Sequence, residues 1–253
     1  MIRLEKVSKR LGGTLVLKAI DLHVKTGETL VIVGFSGAGK SVTIKHMIGM
    51  LTPDRGRVLI GDEVISETSG RALQRLRRRF GVLFQSAALL EWMSAAENVA
   101  LPLREKTKMS EEEIAAAVHE KLAMVGLEED DDKSPSELSG GMRKRVGLAR
   151  AIVTNPEIIL YDEPTSGLDP VTSRAIDALI NRLREQLGVT SVVVTHDLMS
   201  ALAIGSRIAM LHEGRIVELA EPQEFIRSQE PEVQRFLEAQ YITKHGPWER
   251  TAR

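Results

Sequence analysis

Apolar positions in this chain follow three patterns, and each predicts a different kind of element. Near the start they alternate with polar ones, in Met1 to Val7 and again in L-V-L-K-A-I-D-L-H-V over Leu15 to Val24, which is the signature of half-buried strands. Further on they form short unbroken runs at Leu30 to Val33, Phe80 to Phe84, Ile158 to Leu160 and Ser191 to Val194. Such runs fit strands covered on both faces. A shorter strand is expected at Arg57 to Ile60 after the Pro53-Asp54-Arg55-Gly56 turn, and a hairpin at Ile208 to Leu211 and Arg215 to Glu218 around Glu213-Gly214. The third pattern is helical. From Ser110 the residues Ile114, Ala117, Val118, Leu122 and Val125 share one face, with Ser110 and Glu113 spaced as a capping box. Helices are also expected over Ser41 to Met50, from Ser139 with Val146, Leu148, Ala149 and Ile152 facing inward, around Ala175 to Leu187, and near Glu232 to Ala239.

Chemistry enters between the run at Leu30 and the helix at Ser41, where the chain reads G-F-S-G-A-G-K-S. Strand, G-x-x-x-x-G-K-S and helix, in that order, make a phosphate loop. Gly34, Ser36, Gly37, Ala38, Gly39, Lys40, Ser41 and Val42 are the candidate nucleotide contacts. Small residues let successive backbone N–H groups turn around a phosphate, and the helix N-terminus adds favourable partial charge. Lys40 brings a point charge to the outer phosphates, and Ser41 offers a hydroxyl to Mg²⁺.

Several later strand ends carry polar groups suited to the same chemistry. Gln85 follows the run at Phe80, and an amide there can bond a metal-bound water. Ile158 to Leu160 leads into Y-D-E-P, where Asp162 is placed to hold Mg²⁺ through water and Glu163 to orient or deprotonate an attacking water. His196, of the six histidines the one at the end of an expected core strand, can sense the terminal phosphate. Ser139, Gly140 and Gly141 open a second phosphate-compatible helix N-terminus. Arg143, Lys144 and Arg145 behind it either reinforce a positive field or form a solvated surface. Leu89 to Leu103, with Trp92 and Met93, is either a docking surface or core, and Arg71 to Arg79 and Glu128 to Asp132 fit solvated charged faces.

The balance of 34 basic and 35 acidic residues, a formal charge of -1, argues against broad electrostatic binding of nucleic acid. Cysteine is absent, which excludes disulfides, thiolate catalysis and cysteine-ligated zinc. With 43% apolar residues and nine prolines the chain is globular in composition. It shows no secretory h-region and no run long enough to span a bilayer, so work at a membrane would need docking through another protein or a surface.

Taken in order, Gly34 to Ser41, Gln85, Leu138-Ser139-Gly140-Gly141-Met142, Ile158 to Glu163, Ser166 to Asp169 and His196 resemble the nucleotide-binding subunit of ATP-binding cassette transporters. The resemblance covers residues 1 to about 240. It implies an α/β fold: a P-loop ATPase core of mostly parallel strands, with an antiparallel β subdomain and an inserted helical subdomain near residues 86–155. It also implies a Mg²⁺-dependent ATPase, working as a homodimer on an integral membrane permease at the cytoplasmic side of the inner or plasma membrane. The phrases L-F-Q-S-A-A-L-L, E-N-V-A-L-P-L-R-E, S-E-L-S-G-G-M and L-G-V-T-S-V-V-V-T-H-D further resemble the ATPases of Mla-type phospholipid transporters, which implies an Mce-domain lipid-binding partner. Two alternatives stay open here: an importer or exporter ATPase for another solute, and an ATP-gated nucleic-acid or structural machine. The family often carries an aromatic near Leu11 to stack on adenine, and none lies between Lys9 and Thr14. Residues 241–253, with Trp248, form a tail expected to contact a partner.

Overall fold

The computed structural model describes residues 1–240, so the tail and Trp248 lie outside the described residues. β1 (Ile2–Leu11) and β2 (Thr14–Val24) form an antiparallel hairpin. Its turn, Gly12-Gly13, has φ of 55° and 82°, the left-handed pair that a two-residue hairpin loop requires. β3 (Thr29–Val33) is buried at all five residues and leads through the phosphate loop into α1 (Lys40–Met47). β4 (Arg55–Ile60) and β5 (Glu63–Val64) complete an antiparallel sheet of order β2-β1-β4-β5. Strand β4 begins inside the expected Pro53–Gly56 turn. A Cβ on Gly56 would stand 2.3 Å from the Glu5 carbonyl oxygen, so glycine lets β4 close on β1 at a register shift.

α2 (Gly70–Arg77) carries Arg71 and Arg75 exposed, as a solvated face should, while Arg79 beyond it makes a two-pronged pair with Glu157 at 3.0 and 2.7 Å. β6 (Phe80–Leu83) follows. Next come α3 (Ala95–Lys106), α4 (Glu111–Met124) and α5 (Gly140–Ile152), which pack on one another. Capping boxes from Ser94 and Ser110 start α3 and α4, and the α4 face buries Ile114, Val118 and Leu122 as its period predicts. Trp92, ahead of α3, is 78% exposed, whereas Val99, Ala100 and Leu103 are core, so the Leu89–Leu103 segment divides between surface and interior. β7 (Ile158–Asp162) pairs in parallel with β6, Phe80 opposite Ile158 and Leu83 opposite Tyr161. α6 (Pro170–Leu187) starts five residues before the expected Ala175, because the Asp169 carboxylate caps the Val171 and Thr172 amides. β8 (Thr190–Val194) is again buried throughout.

α7 (Leu198–Ile204) is capped by Asp197. β9 (Arg207–His212) and β10 (Arg215–Ala220) form the expected hairpin, with positive φ at both Glu213 and Gly214. β3 lies parallel to β9, Val33 opposite Met210. α8 (Pro222–Phe225) and α9 (Pro231–Ala239) close the described chain.

These elements form two compact units. One holds Met1, Lys25–Glu28 and Thr68–Val193, with β6 to β8 and α2 to α6; the other holds Ile2–Val24, Thr29–Glu67 and the residues from Val194, with the antiparallel sheet, β3, α1, β9 and β10. Together they make the α/β P-loop fold, with its antiparallel β part and helical part, that the motif order implies. Among the described residues no helix is long and apolar enough to cross a membrane.

Candidate nucleotide site

Packing and chain direction shape the phosphate loop. Gly34 leaves β3 at φ 155°, and a Cβ there would lie 2.2 Å from the Leu211 carbonyl oxygen. Gly39 takes the N-cap of α1 at φ 107°, where a Cβ would meet Leu17 Cδ2 at 2.9 Å. Gly37 differs: its φ of 80° calls for glycine, although the space around it is open. No side chain caps α1, and its first turn holds no acid. The helix therefore offers an N-terminus suited to an anion. The Lys40 ammonium donates to the carbonyls of Gly34 at 2.7 Å and Phe35 at 3.2 Å and is 8% exposed, so the charge lies across the loop. Val16 and Leu17, from β2, approach Gly39 with aliphatic surface.

Sequence reasoning missed one neighbour of this loop. Phe35 meets Phe236 of α9 edge to face, with ring centroids 5.4 Å apart and planes at 83°. Nothing in the local pattern near Phe35 points to a ring some 200 positions later. His196, which the sequence assigns to phosphate sensing, is exposed beyond β8 and belongs to the same unit as the loop. Inside α1 itself, burial holds the His46 imidazole below its ordinary pKa, against a hydrogen bond to the Val42 carbonyl.

Gln85, Ser139 to Gly141, Asp162 and Glu163 belong to the other unit. Asp162 is the last residue of β7. Glu163 follows it at φ 51°, is 8% exposed, and holds a left-handed backbone that costs a non-glycine residue roughly 1–2 kcal/mol. Gln85 lies just past β6, with its amide nitrogen 3.3 Å from Ser166 Oγ. Ala87 and Ala88 follow it with φ of 60° and 48°.

α5 supplies what holds these irregular turns. Lys144 Nζ donates to the Gln85 carbonyl at 2.5 Å and to the Glu163 carbonyl at 3.0 Å. Two turns on, Arg150 donates to the carbonyls of Ala87 and Ala88 at 2.5 and 2.7 Å. Gly147 lies between them, where a Cβ would come within 2.7 Å of Leu83 Cδ1 and 3.1 Å of Ala87 Cβ. Burial pushes the Lys144 ammonium down to about 8, opposed by the charges of Glu163 and Asp162. The basic run at Arg143 to Arg145 is thus neither a solvated surface nor a field of loose charges. Arg143 donates to the Leu138 carbonyl at 2.6 Å and Arg145 to the Val125 carbonyl at 3.0 Å, so all three cations are engaged by main-chain oxygens. At the start of α5, Ser139 Oγ accepts from the Met142 amide at 3.2 Å, and a Cβ on Gly141 would come 2.6 Å from Thr172 Cγ2.

With this geometry in view, similarity to known proteins becomes interpretable. The ABC transporter family model matches residues 17–166. A probable ribonucleotide transport ATP-binding protein, mkl, of Mycobacterium tuberculosis is 43% identical over 245 residues, covering 97% of this chain and 68% of its own length. The methionine import ATP-binding protein MetN of Rhizobium johnstonii is 43% identical over 218 residues, 86% of this chain and 60% of that protein. Among solved structures, the dimeric ATP-binding cassette MJ0796 bound to ADP and Pi superposes with a TM-score of 0.80 at 37% identity, covering 88% of this chain and 99% of that one.

The relatives named for a cargo take small solutes, which corrects the Mla-type assignment, its phospholipid cargo and its Mce-domain partner. The physical reason lies in where the suggestive phrases fall. L-F-Q-S-A-A-L-L runs on from the end of β6 and S-E-L-S-G-G-M over the cap of α5, and they contain the candidate nucleotide residues Gln85 and Ser139 to Gly141, so neither phrase by itself names a cargo. The chain belongs to the ABC transporter family, as one of its ATP-hydrolysing subunits.

Proposed function

We propose that this chain is the ATPase of an importer for a small solute, of the class of an amino acid or a ribonucleotide, and works on a separate membrane permease. The observation that carries the cargo reading is 43% identity to a ribonucleotide transport ATPase along 97% of the chain, with a methionine import ATPase at the same identity. In this reading the backbone from Gly34 to Val42 and the Lys40 ammonium cradle the phosphates. Ser41, Gln85 and Asp162 supply hard oxygen donors of the kind Mg²⁺ takes, and the bound cation would offset phosphate charge. Glu163 orients water and accepts its proton, while His196 hydrogen-bonds the terminal phosphate.

Ser139, Gly140 and Gly141 act on the nucleotide of a second copy, so that ATP closes a homodimer; dimeric MJ0796 at 37% identity supports this arrangement. Closure and reopening pull on the permease through the segment from Gln85 to Leu103, with Trp92 on its surface. The protein is peripheral, held at the cytoplasmic face through that permease.

Two measurements test the proposal. Glu163→Gln should bind ATP and lose hydrolysis; full turnover would remove Glu163 from the base role. The complex purified with its permease should hydrolyse ATP faster when methionine or ribonucleotides are supplied with their binding protein. A rate indifferent to every such solute would overturn the cargo assignment.

A further inference from the structure

We infer that Lys144 is a positioning residue for hydrolysis: its single ammonium group locks the turn carrying Gln85 to the turn carrying Glu163 and holds both side chains in working orientation. The inference rests on the assignment of Glu163 as base and deepens it. Glu163 has φ of 51°, a backbone state that a glutamate does not adopt unaided, and Gln85 precedes two alanines in the same state. Such turns persist where surrounding bonds over-determine them. For Glu163 the main-chain carbonyl accepts from Lys144 Nζ at 3.0 Å and from the Ser166 amide at 3.2 Å. For Gln85 the carbonyl accepts from the same Nζ at 2.5 Å. One nitrogen therefore bridges the ends of β6 and β7, 59 and 19 positions away in sequence.

Lys144 is 5% exposed, and a lysine gives up considerable hydration and rotamer freedom to be there. An apolar residue would fill the space without that cost, but it would take the lysine donor from the Gln85 carbonyl and leave the Glu163 carbonyl with the Ser166 amide alone. The side chain also leaves α5, whose N-cap is Ser139, so the helix that begins at Ser139-Gly140-Gly141 grips the base turn directly. A shift of α5 would move Glu163 and Gln85 together. Arg150 secures the Ala87-Ala88 corner of the same loop from two turns further along.

The test uses the full chain, with ATP turnover and ATP affinity measured separately. Lys144→Met keeps an unbranched side chain without a donor and is expected to lower kcat by about tenfold or more, with ATP affinity within about threefold of the parent. Lys144→Gln keeps two N–H donors on a neutral arm and is expected to recover at least about a third of parental kcat. Amide hydrogen exchange at residues 85–88 and 163–166 should accelerate in the Met variant and return toward parental rates in the Gln variant.

A folded Lys144→Met enzyme with parental kcat overturns the inference. So does a loss confined to affinity, or a Gln variant that melts like the parent yet stays as slow as Met. If Met does not fold, the Gln variant decides alone, since its recovery supports the donor role and its failure removes it. Glu163→Gln runs beside them: if it hydrolyses normally, the base assignment falls and takes the inference with it. If it is inactive while Lys144→Met is normal, the inference alone fails.

Discussion

Two helix N-termini in this molecule look alike in sequence and are built differently. α1 follows G-A-G and α5 opens within L-S-G-G, each with glycine at or beside the cap. At α1 the cap residue is Gly39, no side chain closes the helix, and a lysine side chain turns back over the preceding loop. At α5 the cap is Ser139, whose own hydroxyl takes the Met142 amide. The glycines differ as well. Gly39 sits at φ 107° against Leu17, while Gly141 has an ordinary helical backbone and faces the methyl of Thr172. The first end suits an anion arriving from outside. The second spends a donor internally, and its buried Gly141 lets Thr172 of α6 come close.

The sharpest way to break this contrast is Lys40→Met. Losing a charge-assisted contact worth about 1.5–3 kcal/mol should weaken ATP binding roughly ten- to hundredfold, by titration with a fluorescent nucleotide. An affinity within threefold would remove Lys40 from the phosphates.

Gly39→Ala should come next. The left-handed cap and the Leu17 contact together cost about 2 kcal/mol of unfolding free energy, against about 1 kcal/mol or less for Gly141→Ala, where the threonine methyl can turn aside. Equal losses by denaturant titration would erase the distinction. Ser139→Ala removes a capping bond and should cost about 1 kcal/mol, in a helix whose cap residue is replaceable in a way that Gly39 is not.

The smallest effect concerns pH and belongs to α1. The folded-state pKa of His46 lies below 6.5 because burial disfavours the imidazolium. Between that lowered value and 6.5 the unfolded chain binds more protons than the folded one, so stability rises with pH across the window. Below it both states are protonated and the penalty is complete. Melting temperatures measured from pH 5 to 7 should therefore climb, and His46→Gln should flatten the climb; an unchanged slope would place the titration elsewhere.

The elements were legible because their signals are local. Alternation in β1 and β2, the unbroken runs of β3, β7 and β8, the capping box at Ser110 and the Glu213-Gly214 turn all depend on neighbours within a few positions. The phosphate loop was legible for the same reason. What stayed hidden was set at long range. R-K-R in α5 has the composition of a solvated face, and nothing near it says that four main-chain carbonyls wait for those cations. Phe35 gives no sign of Phe236. Glutamate at Glu163 does not announce a left-handed backbone, since the turn is held from α5, 19 positions away.

By itself, then, the sequence determined where most strands and the helices α1, α4, α5, α6 and α9 lie, that a glycine-rich loop of the phosphate-loop pattern follows β3, and which polar residues stand at strand ends. Periodicity and glycine placement act through bonds and sterics of adjacent residues. Tertiary structure alone decided that Lys144 and Arg150 are braces, that Gly34 must stay bare against Leu211, and that Glu163 is pinned in an unfavoured conformation. Burial and acceptor geometry are properties of segments brought together from far apart, and a side chain's charge acquires a task only when the fold chooses which carbonyls surround it.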